Sequence, residues 1–416
     1  MKVLAAIVSA PHWLVAGGPN AALRLSAALA KICDIDLARM AAADATENSG
    51  GLTIFDLGCS NPFALARRIV PRSLFMLFYK ARIPDLIRTG RYDLVHIHNP
   101  LPALEMQRIA RACLHAQVPY VVSTHGLVEL ASKGTAVGLG RLERIAWRLL
   151  VDAPFRYVLR HAASVMALSP ADVPILNDIG CGSGRIDVVP NGVDVPAAPA
   201  DPRGLGEVCR KFGLPFPKPV GVPVGMFLGN HTKNKGVAVL LEAFSGYHGP
   251  FRMIVAGSQR DYIDYDSYLK MAKPNQTFHF PGFVCDEEAG ALLEYADLFV
   301  FPTLSDTFPL VVLEAMARGV PILATRVGGL PHQVPESCGC LVDPGDPKAL
   351  IGAFERLTRD MGGLAAMGAA AKAHVAHNFS WDASAQAALS VYRAILSPPS
   401  HARGPTQHAR VGTATA

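Results

Sequence analysis

Short apolar runs that alternate with helical stretches, twice along 416 residues, do most to limit the folds open to this chain. In the first half the runs are Val3–Val8, Ile35–Ala38, Leu94–His98, Tyr120–Ser123, Ser164–Leu168 and Ile186–Val189, with helical periodicity after Gly18 and from Leu101 to Ala116. In the second half they are Val224–Leu228, Phe251–Ala256, Thr277–Phe280, Asp297–Phe301 and Pro321–Thr325. Strands that are apolar on every residue are buried on both faces, which a parallel sheet between two helical layers achieves. The expected class is therefore α/β, with two doubly wound parallel-sheet domains facing a central cleft. The length is also too great for one ordinary core. A Pro-, Ala- and Gly-rich stretch after Asp194 (VPAAPADPRGLG) divides the halves. The reading is residues 1–195 as the first domain, 196–206 as linker and 207–378 as the second domain. Residues 379–396 form a helix with Trp381, Leu389, Tyr392 and Leu396 on its apolar side, and 397–416 a polar, Pro-rich disordered tail.

Charge and cysteine usage exclude several classes. The net charge of +5 lies in the first half, where residues through Val195 carry 20 Lys and Arg against 15 Asp and Glu, leaving 19 against 19. That is modest for a nucleic-acid partner, and no nucleic-acid module is visible. Much of the excess sits in Arg67 to Arg91, where Arg67, Arg68, Arg72, Lys80, Arg82, Arg88 and Arg91 interleave with Leu74, Phe75, Leu77, Phe78 and Tyr79. Such a segment can lie on an anionic bilayer, or it can pack its apolar side on the sheet and solvate its charges. No run of about 18 uncharged apolar residues appears, so no spanning helix is expected. The start, MKVLAAIVSAPHW, reads as a first strand and not a signal peptide, because it leads directly into Gly17-Gly18 and a helical pattern. Eight cysteines show no paired CxxC frame, and Cys338-Gly-Cys340 is too tight for a zinc knuckle, which fits reduced thiols in a cytoplasmic protein.

The residues that carry chemistry fall at predicted strand ends. From Leu298 to Asp346 the sequence reads as strand, polar loop, helix with Pro309 at its first position, and strand, with Asp306 in the loop and Glu314 about two turns into the helix. In such a βαβ unit ligands gather at the carboxyl ends of the strands, where first-turn amides favour anionic groups. Two acids eight residues apart are weak evidence alone. A second strand runs into FLGNHTKNKG, where Lys235 can place its charge on a diphosphate beside a helix start. Gly17-Gly18 after the first strand lets backbone approach a ligand. His98 and His125 close two strands at their carboxyl ends, positions from which an imidazole reaches a sugar hydroxyl, whereas His96 lies inside its strand as a structural residue. Asp264-Tyr-Asp266 spells a metal-binding DxD, but sits in an acidic surface stretch and reads as chance.

Taken together, Asp306 and Glu314, the AMARGVP run, Gly328-Gly329, Lys235-Gly236, Gly17-Gly18, His125 and the PNGVD at Pro190 to Asp194 resemble the retaining glycosyltransferases of family GT4, bacterial polysaccharide branch. The resemblance covers most of residues 1–396 and implies the GT-B fold, two Rossmann-like domains with the last helix returning to the first. It implies that Asp306 with the following Thr307, Phe308, Pro309 and Leu310 holds the donor sugar, that Glu314 accepts from the ribose, and that Gly17, Gly18 and Lys235 face the diphosphate. His125 matches the active-site histidine and His98 is the acceptor-side candidate, so the catalytic set is His125, Lys235 and Asp306. Three positions depart from the pattern: Asn230 stands where the family places Arg, Asp306 stands where it usually has Glu, and His332 follows the Gly-Gly turn. Lys233 or His231 are the nearby groups that could replace the missing cation. The implied activity moves a sugar, with retention, from a nucleotide diphosphate sugar to a saccharide or lipid-linked acceptor. It needs no cofactor and no obligatory metal, in a protein peripheral to the cytoplasmic face of the inner membrane. Two alternatives stay open: a catalytically silent nucleotide-sugar-binding scaffold, and a sugar phosphorylase with pyridoxal on a lysine.

Overall fold

The computed structural model describes residues 1–11, 17–64, 75–99, 101–126 and 141–397. The first half forms an eight-stranded sheet from β1 (Lys2–Ile7), β2 (Asp34–Ala41), β3 (Ala45–Ser49), β4 (Leu52–Gly58), β5 (Leu94–His98), β6 (Tyr120–Ser123), β7 (Ser164–Ala167) and β8 (Ile186–Val188). Its order is β3-β4-β2-β1-β5-β6-β7-β8, parallel throughout except for the β3–β4 hairpin at one edge. That hairpin is absent from the expectations above. Every residue of β3 is exposed, so it carries no apolar signal, and a polar edge strand protects the sheet from further pairing. Its turn is Gly50-Gly51, both with positive φ, the backbone a two-residue hairpin requires.

The second half forms an all-parallel sheet of β9 (Val224–Leu228), β10 (Phe251–Ala256), β11 (Gln276–Gly282), β12 (Leu298–Phe301), β13 (Ile322–Thr325) and β14 (Gly339–Val342), in the order β11-β10-β9-β12-β13-β14. The short, half-exposed β14 lacks the continuous apolar run that betrays its neighbours, and it too is an addition. Both sheets reverse strand order beside their first strand, at β1/β5 and at β9/β12, where β1 pairs with both β2 and β5, and β9 with both β10 and β12. Loops leaving the two central strands diverge there, which opens a crevice at the carboxyl ends.

The connection between the halves is shorter than 196–206, because the Pro202–Lys211 helix begins inside that range with Pro at its first turn. The Trp381–Leu396 helix, capped by Ser380 accepting from the Ala383 amide at 3.2 Å, packs on the Gly17–Ala30 helix of the first domain. Outgoing and returning chains run side by side, with the Val193 amide on the Phe379 carbonyl at 2.8 Å. A Cβ on Gly192 would lie 2.5 Å from the Trp381 nitrogen, which explains the glycine of PNGVD.

The described part of the basic segment, residues 75–91, packs on the first domain. Leu77, Ile83 and Ile87 are in the first-domain core, with Phe78, Tyr79 and Leu86 packed against it, while Arg82 pairs with Asp44 and Arg88 with Asp85. These apolar residues are spent on the protein interior. Arg67, Arg68, Arg72 and Leu74 lie outside the described residues, as does the tail from residue 398. Among the described residues no helix is long and apolar enough to cross a membrane, and all eight cysteines are free.

Candidate functional site

The second-domain wall is built where the loops after β9 and β12 meet. The Asn234 carbonyl accepts from the Leu304 amide at 2.7 Å, the Ser305 amide at 3.3 Å and Thr303 Oγ1 at 2.9 Å, which fixes one loop to the other. Gly236 sits so close that a Cβ there would fall 1.8 Å from the Pro302 carbonyl oxygen, at a φ of +72° that glycine tolerates. This brings Lys235 to Asp306: Lys235 Nζ donates to Asp306 Oδ2 at 2.5 Å and lies 5.6 Å from the Phe301 ring centroid. Beneath them the Gly328-Gly329 turn passes under the loop, the Gly329 amide donating to the Thr307 carbonyl at 2.7 Å. A Cβ on Gly328 would strike the Asp306 carbonyl at 1.9 Å. The turn supports the backbone of the first acid.

Pro309 differs from its expected place. It is the N-cap of the Leu310–Ala317 helix with extended ψ of 114°, one residue before the first turn, and its carbonyl accepts from Gln333 Nε2 at 3.3 Å. Thr307 and Phe308 are buried, and the Phe308 ring lies tilted at 59° to that of Phe379, centroids 5.9 Å apart, at the crossing between domains. Leu310 and Glu314 project into a cavity of about 170 Å³ that both domains line, with Asn20, Arg24 and Asp194 on one side and Asp286 and Arg318 on the other. Arg24 pairs with Asp194, and Arg318 Nη1 donates to the Glu314 backbone carbonyl at 3.4 Å. Burial raises the Glu314 carboxyl above its ordinary value, with Arg318 opposing and Asp286 adding to the rise. A poorly solvated carboxylate gains from any hydroxyl donor delivered to it.

The first-domain wall stands opposite. Gly18, in the first turn of the Gly17–Ala30 helix, is pressed by Asn99 and His125: a Cβ there would lie 2.7 Å from Asn99 Oδ1 and 3.3 Å from His125 Cβ. Gly17 has open space around it. His98 Nδ1 meets His125 Nε2 at 3.0 Å, and burial lowers the His125 imidazole to about 4 and the His98 imidazole well below its ordinary value. Both are neutral near pH 7. His96 is held between Tyr392 Oη at 2.6 Å and Ser123 Oγ at 2.8 Å, a satisfied residue tying the last helix to the sheet. Across the cleft, a Cβ on Gly126 would lie 3.7 Å from Thr307 Oγ1, and Ser169 approaches Gly329. The two walls thus meet at Gly126 and Thr307 and at Ser169 and Gly329.

Of the two neighbours that could replace the missing cation at Asn230, one is withdrawn. His231 is buried, bonds Tyr265 Oη through Nδ1 at 2.6 Å, and is lowered by burial, so it supplies no cation. Lys233 is exposed, with its amide on Asp261 at 2.7 Å, and Asn230 itself is exposed at the mouth. The DxD is a helix cap: Asp264 accepts from the Ser267 amide at 3.3 Å. Among the described residues no cluster of three His, Cys, Asp or Glu side chains is placed to hold a metal. Sequence reasoning missed Asn99, Arg24 and Arg318. A signal existed for the first two, since Asn99 follows a strand at its carboxyl end and Arg24 interrupts an apolar helix.

The descriptor "Glycosyltransferase Family 4" matches residues 15–196, and "Glycosyl transferases group 1" matches residues 222–360. The D-inositol 3-phosphate glycosyltransferase of Corynebacterium jeikeium (strain K411) is 30% identical over 333 residues, covering 76% of this chain and 75% of that enzyme. The 2-deoxystreptamine glucosyltransferase of Streptomyces kanamyceticus is 29% identical over 309 residues, 73% of this chain and 77% of that enzyme. Among solved structures, Anabaena Alr3699/HepE in complex with UDP superimposes with a TM-score of 0.68 at 16% identity, over 95% of this chain and 100% of that one, which establishes the shared fold.

Proposed function

The chain belongs to glycosyltransferase family 4 with a GT-B fold, and on that premise we propose that it transfers a sugar, with retention, from a nucleoside diphosphate sugar to a saccharide or lipid-linked saccharide. The observation that carries this reading is the Lys235–Asp306 pair at the mouth between β9 and β12, beside the Thr307 that Gly126 of the first domain approaches. Arriving diphosphate competes with Asp306 for Lys235, which releases the carboxylate to orient sugar hydroxyls. Negative charge building on the departing diphosphate is then met by Lys235 and nearby amides, the electrostatic contribution that dominates such transfers. Glu314 takes the ribose hydroxyls, and His125 lies beside the sugar. Because Lys235 supplies the cationic charge, turnover is expected to persist in chelator.

The test is a thermal-shift panel of UDP-, GDP- and ADP-sugars with and without EDTA, followed by NMR of the product's anomeric configuration. A donor at 100 times its Kd stabilises by about 2.7 kcal/mol. No shift with any donor, or dependence on metal, sinks the respective part, and an inverted product removes retention. Binding without turnover, even as water-driven donor hydrolysis, establishes the silent scaffold instead.

We infer the lipid-linked form of acceptor from a different surface than the one expected. Arg144, Ile145, Arg148 and Leu149 are exposed together where the Arg141–Trp147 helix passes into the π-helical turn Arg148–Asp152, with Ile145 at 56% and Leu149 at 63% exposure. Apolar and basic side chains side by side suit an anionic bilayer. Flotation with phosphatidylglycerol vesicles at low salt should carry the protein up. Equal flotation of the Ile145→Ser, Leu149→Ser pair would remove this face from the account.

A further inference from the structure

The loop after β10 lies against the loop after β9, at the position where Asn230 stands in place of an arginine. A Cβ on Gly257 would fall 1.9 Å from the Gly229 carbonyl oxygen, so the two strand exits touch backbone to backbone. From there the loops are laced together. The His231 amide donates to the Ser258 carbonyl at 2.9 Å, and the His231 carbonyl accepts from the Arg260 amide at 3.2 Å and the Asp261 amide at 3.1 Å. Asp261 Oδ2 in turn accepts from the Lys233 amide at 2.7 Å. The backbone of Arg260 is thereby fixed to the residue that follows Asn230, on the rim of the same mouth.

Arg260 is exposed, and among the described residues its side chain has no ion pair and no hydrogen bond. The acids that flank it in sequence are engaged as backbone acceptors, Asp261 on the Lys233 amide and Asp264 on the Ser267 amide. The other basic groups of the two loops are committed or turned away. Lys235 is on Asp306, and His231 is on Tyr265. Lys233 and Lys235 share a single 3-10 turn, in which successive residues are rotated by about 120°, so Lys233 leaves the direction that Lys235 takes toward Asp306. We infer that Arg260 supplies, from the loop after β10, the guanidinium missing at Asn230, and that it binds the diphosphate of the donor.

Strand order gives this transfer its geometry. The sheet runs β10-β9-β12, so a diphosphate over the β9 exit has Lys235 and Asp306 on its β12 flank and Arg260 on its β10 flank. A planar guanidinium offers two parallel N–H groups to two phosphate oxygens, which an ammonium cannot match. The donor is then held between charges from two loops instead of one, and the backbone bonds between those loops become part of the binding site. Because Arg260 is exposed, its contribution is screened by salt. The inference deepens the transferase reading and rests on it for the ligand being a diphosphate.

The test titrates the full chain by calorimetry with UDP, GDP, ADP, the parent nucleosides and inorganic pyrophosphate. Arg260→Gln should weaken the preferred nucleoside diphosphate and pyrophosphate about tenfold, the low end for a hydrogen bond to a charged group because the site is exposed, and leave the nucleoside unchanged. The loss should shrink in about 0.5 M NaCl, and Arg260→Lys should fall between the two. An undiminished diphosphate affinity, or an equal loss for the nucleoside, overturns the inference. So does a tenfold loss in Lys233→Gln with none in Arg260→Gln, which would make Lys233 the cation. The replacement itself is read by a double-mutant cycle: Asn230→Arg should strengthen binding more in the Arg260→Gln background than in the wild type. Equal gains in both mean that the two positions act separately, and defeat it. Pyrophosphate binding needs neither base, sugar nor turnover. A chain that binds pyrophosphate through Arg260 but turns over no donor therefore defeats the transferase reading alone, and turnover with an unaffected Arg260→Gln defeats this inference alone.

Discussion

The two domains share a strand order around their switch points yet build opposite chemistry there. The mouth at β9/β12 is charged and paired, with Lys235 on Asp306 and Arg318 beside Glu314. The mouth at β1/β5 is neutral, with imidazoles held unprotonated by burial and polar atoms left without partners. A diphosphate requires fixed charge that tolerates water, whereas neutral hydroxyls are recognised best by buried, uncharged donors and acceptors. One architecture therefore presents a charged wall and a neutral wall, and the difference lies in residues at and just beyond the strand ends.

The comparison breaks most sharply at Lys235. Lys235→Ala should lower kcat by about 10²–10³-fold, the scale for removing one group that stabilises departing charge. Steady-state rates with a purified donor measure it, and a drop below threefold would move the charge role elsewhere. The neutral wall is tested by acid. The native His125 value lies below that of the unfolded chain, so the unfolded state takes up protons first, and stability is lost as pH falls from about 6.5 to about 4. At about 1.4 kcal/mol per pH unit, His125 alone accounts for about 3 kcal/mol over that window. Urea denaturation across pH should show that slope on top of those of His96 and His98, which burial lowers in the same sense, and His125→Asn should reduce the total by about 1.4 kcal/mol per pH unit.

Glu314 lies on the charged side but carries a desolvation cost. Its carboxyl is raised in the native state, so it opposes folding above its raised value, and the opposition fades as pH falls from that value to the ordinary one. Glu314→Gln should therefore raise Tm while weakening donor binding by about 1.5–3 kcal/mol, the range for hydrogen bonds to charged groups. In the wild type, donor KM should climb as acid protonates Glu314, and the Gln variant should lack that climb. The smallest effect concerns Asn230. Because this position is exposed, Asn230→Arg should gain about 1 kcal/mol after screening, lowering donor KM about fivefold. No change would mean that the diphosphate does not pass this point.

Much of the fold was legible because strand burial and helix periodicity are local: apolar runs at Val224, Phe251 and Asp297 mark β9, β10 and β12 to within a residue or so. The β3 and β14 strands escaped, one being polar and the other short. Of the residues read at strand ends, the structure brings Lys235 to Asp306 and His125 to Gly18. Asn99 was not seen, because a single polar residue after a strand has no pattern, and its meaning comes from the glycine and histidine that close over it.

By itself the sequence determined two parallel α/β domains, since strand burial and helix periodicity follow from spacing within a few turns or strands. Only the tertiary structure decided which residues at the strand ends are charged, paired or left waiting. Lys235 reaches Asp306 across 71 positions, His231 is withdrawn onto Tyr265, and the aromatic-basic segment gives its apolar side to the core. Desolvation and hydrogen bonding are set by neighbours distant in the chain, and so the polarity of each wall became visible only when the two sheets stood face to face.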